Sequence, residues 1–180
     1  MISPAAGIVV WLGASLIVVS DGRKGLAVGI ALTTVGLATF AFLTAGPIAA
    51  IALALGGAVA ATRRYVTGAE GWAILPPGST PRLVLSLATA LIAFWVAAGL
   101  TSGSYVSLRF GVIVAAVLSV ARVLSTNEQT ALLSAVALLS LSAAVATAMG
   151  SSITSLWPYL GGALVAAAVG WLPLRRVSAA

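Results

Sequence analysis

Seven long apolar stretches, separated by short polar breaks, constrain this chain more than any other feature of its sequence. Each has about 17–21 residues, the length at which a helix crosses about 30 Å of hydrocarbon. Their approximate bounds are 4–20, 25–44, 47–62, 82–100, 105–124, 129–149 and 157–174. The pattern predicts an all-α, polytopic transmembrane helix bundle, with residues 1–180 forming one integral-membrane domain.

Composition excludes the main alternatives. The chain of 180 residues is 61% hydrophobic and 7% charged, whereas a soluble domain is about 45–50% apolar and about 25% charged. Disorder requires low hydrophobicity and high charge. Strands of a membrane barrel would alternate apolar and polar residues, and the stretch Ile48–Ala61 does not alternate. Helices satisfy their own backbone groups in lipid, so helices are expected.

The basic residues predict the orientation. If all seven stretches cross, eight of the nine Lys and Arg residues fall on one side, with Arg109 alone on the other; the eight are Arg23, Lys24, Arg63, Arg64, Arg82, Arg122, Arg175 and Arg176. Short basic loops stay in the cytoplasm. We therefore expect the N-terminus outside and the C-terminus inside, in the cell inner (cytoplasmic) membrane of a prokaryote.

A six-span arrangement remains open. Arg109 and Arg122 leave only residues 110–121 uncharged between them, about 18 Å of helix, which is short for a span. Omitting this crossing would place Arg175 and Arg176 outside, so seven spans are preferred. The first stretch lacks a basic segment before it, and we interpret it as a span rather than a cleaved signal peptide.

The missing residue types exclude most catalytic chemistry. The chain contains no Cys and no His, and its three acids, Asp21, Glu70 and Glu128, lie in three different predicted loops. No metal site, cofactor site or catalytic group is expected, and an enzyme is the least favoured class. Scattered basic residues do not form a nucleic-acid surface, so no nucleic-acid partner is expected.

Small residues recur at helical spacing in three stretches. The second contains Gly25, Gly29 and Gly36, the sixth contains Ser140, Ala144 and Ala148, and the seventh contains Gly162, Ala166 and Gly170. Small residues four apart let helices approach closely in lipid, which favours packing inside the bundle or against another subunit. No sequence repeat relates stretches one to three to stretches four to six.

Two features point to lipid or partner contact. Arg109 has no acid on its own side, and we expect it to extend into the outer headgroup region as an exposed side chain. The alternative is that its guanidinium binds a lipid phosphate or an acid of another subunit. The longest loop, residues 63–81, carries Trp72. We expect it to lie in the inner headgroup region with Arg63, Arg64 and Arg82 near anionic lipid; docking of a partner is the alternative.

These observations predict a non-catalytic accessory or structural subunit of a larger membrane complex, of the respiratory or antiporter-like kind. Its partners would be membrane lipids and other integral-membrane subunits. The alternative is a small transporter, channel or permease component for a neutral or apolar solute, lined by hydroxyl groups. A membrane enzyme of lipid metabolism is disfavoured, because it would need the three acids to converge.

Overall fold

The computed structural model describes residues 2–74, 80–99, 106–126, 128–150 and 155–172. Within these ranges the chain forms seven helices: α1 (Ile2–Val19), α2 (Arg23–Ala45), α3 (Pro47–Val66), α4 (Thr80–Gly99), α5 (Val106–Ser125), α6 (Gln129–Gly150) and α7 (Trp157–Trp171). The all-helical prediction is confirmed for the described part of the chain. One isolated antiparallel bridge joins Ser20 to Ile74.

Five of these helices are long and apolar enough to cross a membrane: Ile2–Val19, Arg23–Ala45, Pro47–Val66, Val106–Ser125 and Gln129–Met149. They indicate a membrane-embedded protein. The fifth stretch, on which the six-span alternative depended, is among the five. Within α4, the stretch Thr80–Val96 forms a shorter apolar helix, and α7 has 15 residues.

The helices form two layers of three. The first layer holds α1, α2 and α3 in that order, and the second holds α5, α6 and α7. Across the layers α1 packs on α5, α2 on α6 and α3 on α7, while α4 lies at one edge against α5 and α1. The second layer therefore repeats the helix order of the first, with α4 as the linker between them.

Facing helices also run in the same direction. At one end Gly7 of α1 lies beside Phe110 of α5, and at the other Ser20 meets Arg122. Gly68, after α3, touches both Arg23 at the start of α2 and Thr130 at the start of α6. The structural counterpart of helices one to three is thus helices five to seven.

The predicted packing residues lie at helix contacts inside the bundle. A Cβ atom on Gly29 would lie 2.6 Å from Cγ1 of Ile17, and one on Gly36 would lie 2.8 Å from the carbonyl oxygen of Ala6. Close approach of this kind brings many atoms into van der Waals contact, which holds helices together in lipid. In α7, Gly162 lies against Ala144 of α6, Gly170 lies against Ala60 of α3, and Ala166 is fully buried. Gly25 differs, because its neighbours are Ser20 and the backbone of Trp72 rather than another helix.

The connection between α2 and α3 is short because of two special backbone residues. Gly46 alone separates α2 from α3, and its φ of 90° lies in the left-handed region that favours glycine. Pro47 then begins α3, where proline is tolerated. At its other end α3 continues to Val66, four residues past the expected end, and so includes Arg63 and Arg64.

Replacing Gly56 by Ala tests whether the α3–α7 contact depends on close backbone approach. A Cβ on Gly56 would lie 2.6 Å from Cα and 2.7 Å from the carbonyl oxygen of Ala163. We expect Gly56→Ala to reduce the free energy of unfolding in detergent by about 1–3 kcal/mol, as in other overpacked cores.

The matched control is Gly161→Ala, because a Cβ on Gly161 meets no atom within 4 Å. This variant should be neutral, or more stable by up to about 1 kcal/mol from helix propensity. Equal stability of the two variants would show that the α3–α7 contact does not need a glycine.

Candidate functional site at the charged end of the bundle

Nearly all the described charges gather at one end of the bundle. The ends of α3 and α5, the starts of α2 and α4 and the adjoining loops carry Asp21, Arg23, Lys24, Arg63, Arg64, Glu70, Arg82, Arg122 and Glu128. This clustering follows from consecutive helices running in alternating directions. We call it the charged end. Arg175 and Arg176, also predicted for this side, lie outside the described residues.

Asp21 is the centre of the charged end. Its carboxylate accepts hydrogen bonds from Nη1 of Arg82 at 3.1 and 3.2 Å and from Nη2 of Arg122. Nη2 of Arg122 also donates to the carbonyl oxygen of Ser20 at 3.1 Å. One carboxylate thereby joins the α1–α2 turn to the first turn of α4 and the last turn of α5. The side chain of Arg122 is fully buried, whereas those of Asp21 and Arg82 are 28% exposed.

The two arginines set the protonation of Asp21. Partial burial by itself raises the pKa of this carboxyl group, because it disfavours the charged form. The hydrogen bonds and positive charges of Arg122 and Arg82 outweigh that effect, so the pKa lies below its ordinary value of 3.8. Asp21 is therefore ionised at neutral pH and neutralises part of the charge of the two guanidinium groups.

The segment 67–74 is tied to the α1–α2 turn through its backbone. The N–H of Asp21 donates to the carbonyl of Ala73 at 3.1 Å, that of Arg23 to Ala69 at 2.9 Å and that of Lys24 to Gly71 at 3.2 Å. These bonds satisfy N–H groups at the start of α2 that have no partner within the helix. The segment thus closes the charged end, rather than forming a free loop.

Side chains of this segment remain outside the bundle. Trp72 and Ile74 are about half exposed, and Glu70 pairs with Arg23 at 3.4 Å while remaining almost fully exposed. Contact of Trp72 with lipid or a partner stays a prediction. The rest of the predicted loop, residues 75–79, lies outside the described residues.

Arg63 and Arg64, expected in the loop, occupy the last turn of α3 instead. Cζ of Arg63 lies 4.9 Å from the ring centroid of Trp171, a cation–π contact between α3 and α7. Arg64 is 2% exposed, and its Nε and Nη1 atoms have no hydrogen-bond partner among the described residues. Its burial could have been predicted from its spacing of four and seven residues from Ala60 and Gly57, which lie on the buried face of the helix.

The remaining predicted site residue, Arg109, is at the opposite end. It lies in the first turn of α5 and is half-buried. It takes part in an interaction of its own, so it is not the isolated charge that the sequence suggested.

Hydroxyl groups in the core are bonded to their own helices. Thr33 donates to the carbonyl of Gly29 at 2.9 Å, Thr34 to that of Ile30 at 2.7 Å and Ser119 to Ala115 at 2.6 Å; Ser134 and Ser142 bond similarly to Thr130 and Leu139. Between helices, Ser86 of α4 donates to Ser15 of α1 at 2.6 Å. In this conformation these groups do not offer free donors to a solute.

Comparisons with protein-family models, with curated proteins and with solved structures give no significant match for this chain.

Replacing Asp21 by Asn should destabilise the bundle. The substitution leaves the fully buried Arg122 without its counter-charge, and breaking such a pair costs about 3–5 kcal/mol when both partners are buried. Because Asp21 is partly exposed, we expect a loss of about 2–3 kcal/mol at pH 7, measured by thermal unfolding in detergent.

The same variant tests the pH dependence. A carboxyl group with a lowered pKa contributes stability above its ordinary pKa and loses it as the pH falls through the folded-state value. The wild-type protein should therefore lose this contribution below about pH 3.8, and Asp21→Asn should lack that loss. Glu70→Gln is the control, because the Glu70 side chain is 87% exposed. An Asp21→Asn variant as stable as Glu70→Gln would contradict the role of this carboxylate.

Proposed function

We propose that this chain is a non-catalytic, integral-membrane structural subunit of a larger membrane complex. The observation that carries the proposal is the position of α4. It packs only at one edge, on α1 and α5, and of its described side chains only Ser86, Thr89 and Ala93 are buried.

The outer face of α4 is large and apolar. Its exposed side chains include Leu83, Val84, Leu87, Leu91, Ile92, Phe94 and Trp95, the last 78% exposed. Two polar contacts fix α4 at the edge of the bundle: the ion pair of Arg82 with Asp21 and the hydrogen bond from Ser86 to Ser15. The helix therefore presents a fixed outer surface. Exposed aromatic side chains such as Phe94 and Trp95 are enriched at interface centres.

The packed interior is consistent with a structural role. Leu37, Phe40 and Leu138 fill the space between the layers with at most 1% exposure, and the hydroxyl groups beside them are bonded within their helices. Stabilisation by packing, with these hydroxyl groups bonded within their own helices, favours a scaffold over a solute pathway.

We further propose seven crossings, with the N-terminus outside and the charged end in the cytoplasm. The gathering of the described basic residues, except Arg109, at one end of the bundle supports this orientation. The positive-inside bias and the apolar lengths then point to the cell inner membrane. In this proposal α7 crosses although its helix has only 15 residues, because it packs on the long helices α3 and α6.

Single cysteines test this topology, because the chain has no Cys of its own. In intact cells a membrane-impermeant thiol reagent should label Ile48→Cys and Ser155→Cys. It should leave Ala69→Cys and Leu172→Cys unlabelled until the membrane is opened. The opposite labelling would reverse the orientation, and equal labelling at positions 155 and 172 would remove the seventh crossing.

Intact-particle mass spectrometry after mild extraction from native membranes tests the subunit role. We expect stoichiometric co-purification of other membrane proteins, weakened about tenfold by Leu91→Ala on the α4 face. The matched control is Leu55→Ala, because Leu91 and Leu55 are 66% and 62% exposed on α4 and α3 respectively. A lone monomer or a homo-oligomer would contradict the proposal.

The repeated layers favour a second candidate, a small transporter for a neutral or apolar solute. Secondary transporters are often built from repeated helical units, and here α5–α7 repeat the order and direction of α1–α3. Solute flux into liposomes that contain this chain alone would support this candidate. Flux that depends on co-purified subunits would support the structural role instead.

A further inference from the structure

Arg64 is a buried charge with no counter-charge in the described part of the chain. Its residue exposure is 2%, and Nε and Nη1 have no hydrogen-bond partner in that part of the chain. The cost of a buried guanidinium is large unless it is paired. Arg122, the other buried arginine of the charged end, also has Nε and Nη1 without a partner among the described residues, but it differs from Arg64 because its Nη2 binds the carboxylate of Asp21.

The described acids are all engaged or exposed elsewhere. Asp21 is held by Arg82 and Arg122. Glu70 contacts Arg23 at 3.4 Å, and Glu128 is exposed after α5. The charge nearest to Arg64 in sequence is Arg63, which repels it and is turned toward Trp171 of α7. The partner that balances Arg64 is therefore expected from outside these residues.

Its position indicates where such a partner would come from. Arg64 belongs to the stripe of α3 that contains Gly57, in contact with Thr34 of α2, and Ala60, in contact with Gly170 of α7. It lies in the last turn of the helix, at the level where the charged end meets the headgroups in the proposed topology. Phosphate is the abundant anion at that level, and a guanidinium binds phosphate through two parallel hydrogen bonds.

We propose that the guanidinium of Arg64 binds a phosphate group, either that of a phospholipid headgroup or a free phosphate, at the charged end of the bundle. Arg63 adds positive charge nearby without occupying the same buried position. Phosphate binding by Arg64 does not depend on the proposed role as a subunit, so it should also be observed if the chain has no protein partner.

The test compares the wild-type protein with Arg64→Met and with the control Arg63→Met, purified in detergent. The probes are a phosphatidylglycerol, a diacylglycerol with the same acyl chains, and inorganic phosphate against chloride at equal ionic strength. The readouts are the unfolding temperature and the mass of the intact particle. Phosphatidylglycerol or inorganic phosphate should raise the unfolding temperature of the wild-type and of Arg63→Met by several degrees.

In Arg64→Met the shift should vanish and the bound phosphate-bearing mass should fall about tenfold or more. Without any probe this variant should unfold at a higher temperature than the wild-type, because it no longer buries an unpaired charge. A shift with inorganic phosphate assigns the site to free phosphate, and a shift with phosphatidylglycerol alone assigns it to lipid.

Three results would overturn the proposal. The first is an equal shift of the unfolding temperature in the wild-type and in Arg64→Met. The second is a shift with diacylglycerol as large as that with phosphatidylglycerol. The third is an unfolding temperature of the wild-type that neither phosphate-bearing probe changes. Should Arg64→Met fail to fold, the wild-type still decides the matter. Purified wild-type protein without one phosphate-bearing adduct per chain, in the presence of both probes, would refute the site.

Discussion

The charged end of this bundle depends on one carboxylate. Asp21 accepts hydrogen bonds from Arg82 and Arg122, and these residues lie in three segments that are far apart in the chain. In apolar surroundings an ion pair is strong but expensive to break, because each freed charge would remain poorly solvated. The contact therefore fixes where α4 and α5 end relative to the α1–α2 turn. The segment 67–74 then closes over that turn through backbone hydrogen bonds.

The rest of the bundle is held by close packing. Lipid offers helices no hydrophobic reason to associate, so contact area and small residues take over that role. Gly56 against Ala163 and Gly36 against Ala6 show backbones brought nearly into contact. Such contacts prevent one helix from sliding along its neighbour. The second layer contains a contact of the same kind, between Gly162 and Ala144. Rigid layers with one edge helix form a shape suited to holding neighbours in place, which is why we favour a structural role over transport.

Much of the fold could be predicted from sequence, because apolar length and loop charge are local properties. Seven helices, their approximate bounds and the gathering of charges at one end follow from them. Pairings between distant segments do not, since nothing local links Asp21 to Arg122. Arg64 differs from its sequence-based prediction for another reason. A charge at the edge of an apolar stretch indicates the start of a loop, but the helical spacing of Arg64 continues the buried stripe of Gly57 and Ala60.

A double-mutant cycle on Asp21 and Arg122 tests the central claim most directly. The free energy of unfolding would be measured for Asp21→Asn, Arg122→Met and the double variant in the same detergent. If the ion pair organises the charged end, the free energy of unfolding of the double variant should equal or exceed that of the less stable single variant. The reason is that the double variant leaves no unpaired buried charge. Losses that simply add would show that the two side chains act independently, and would contradict this account.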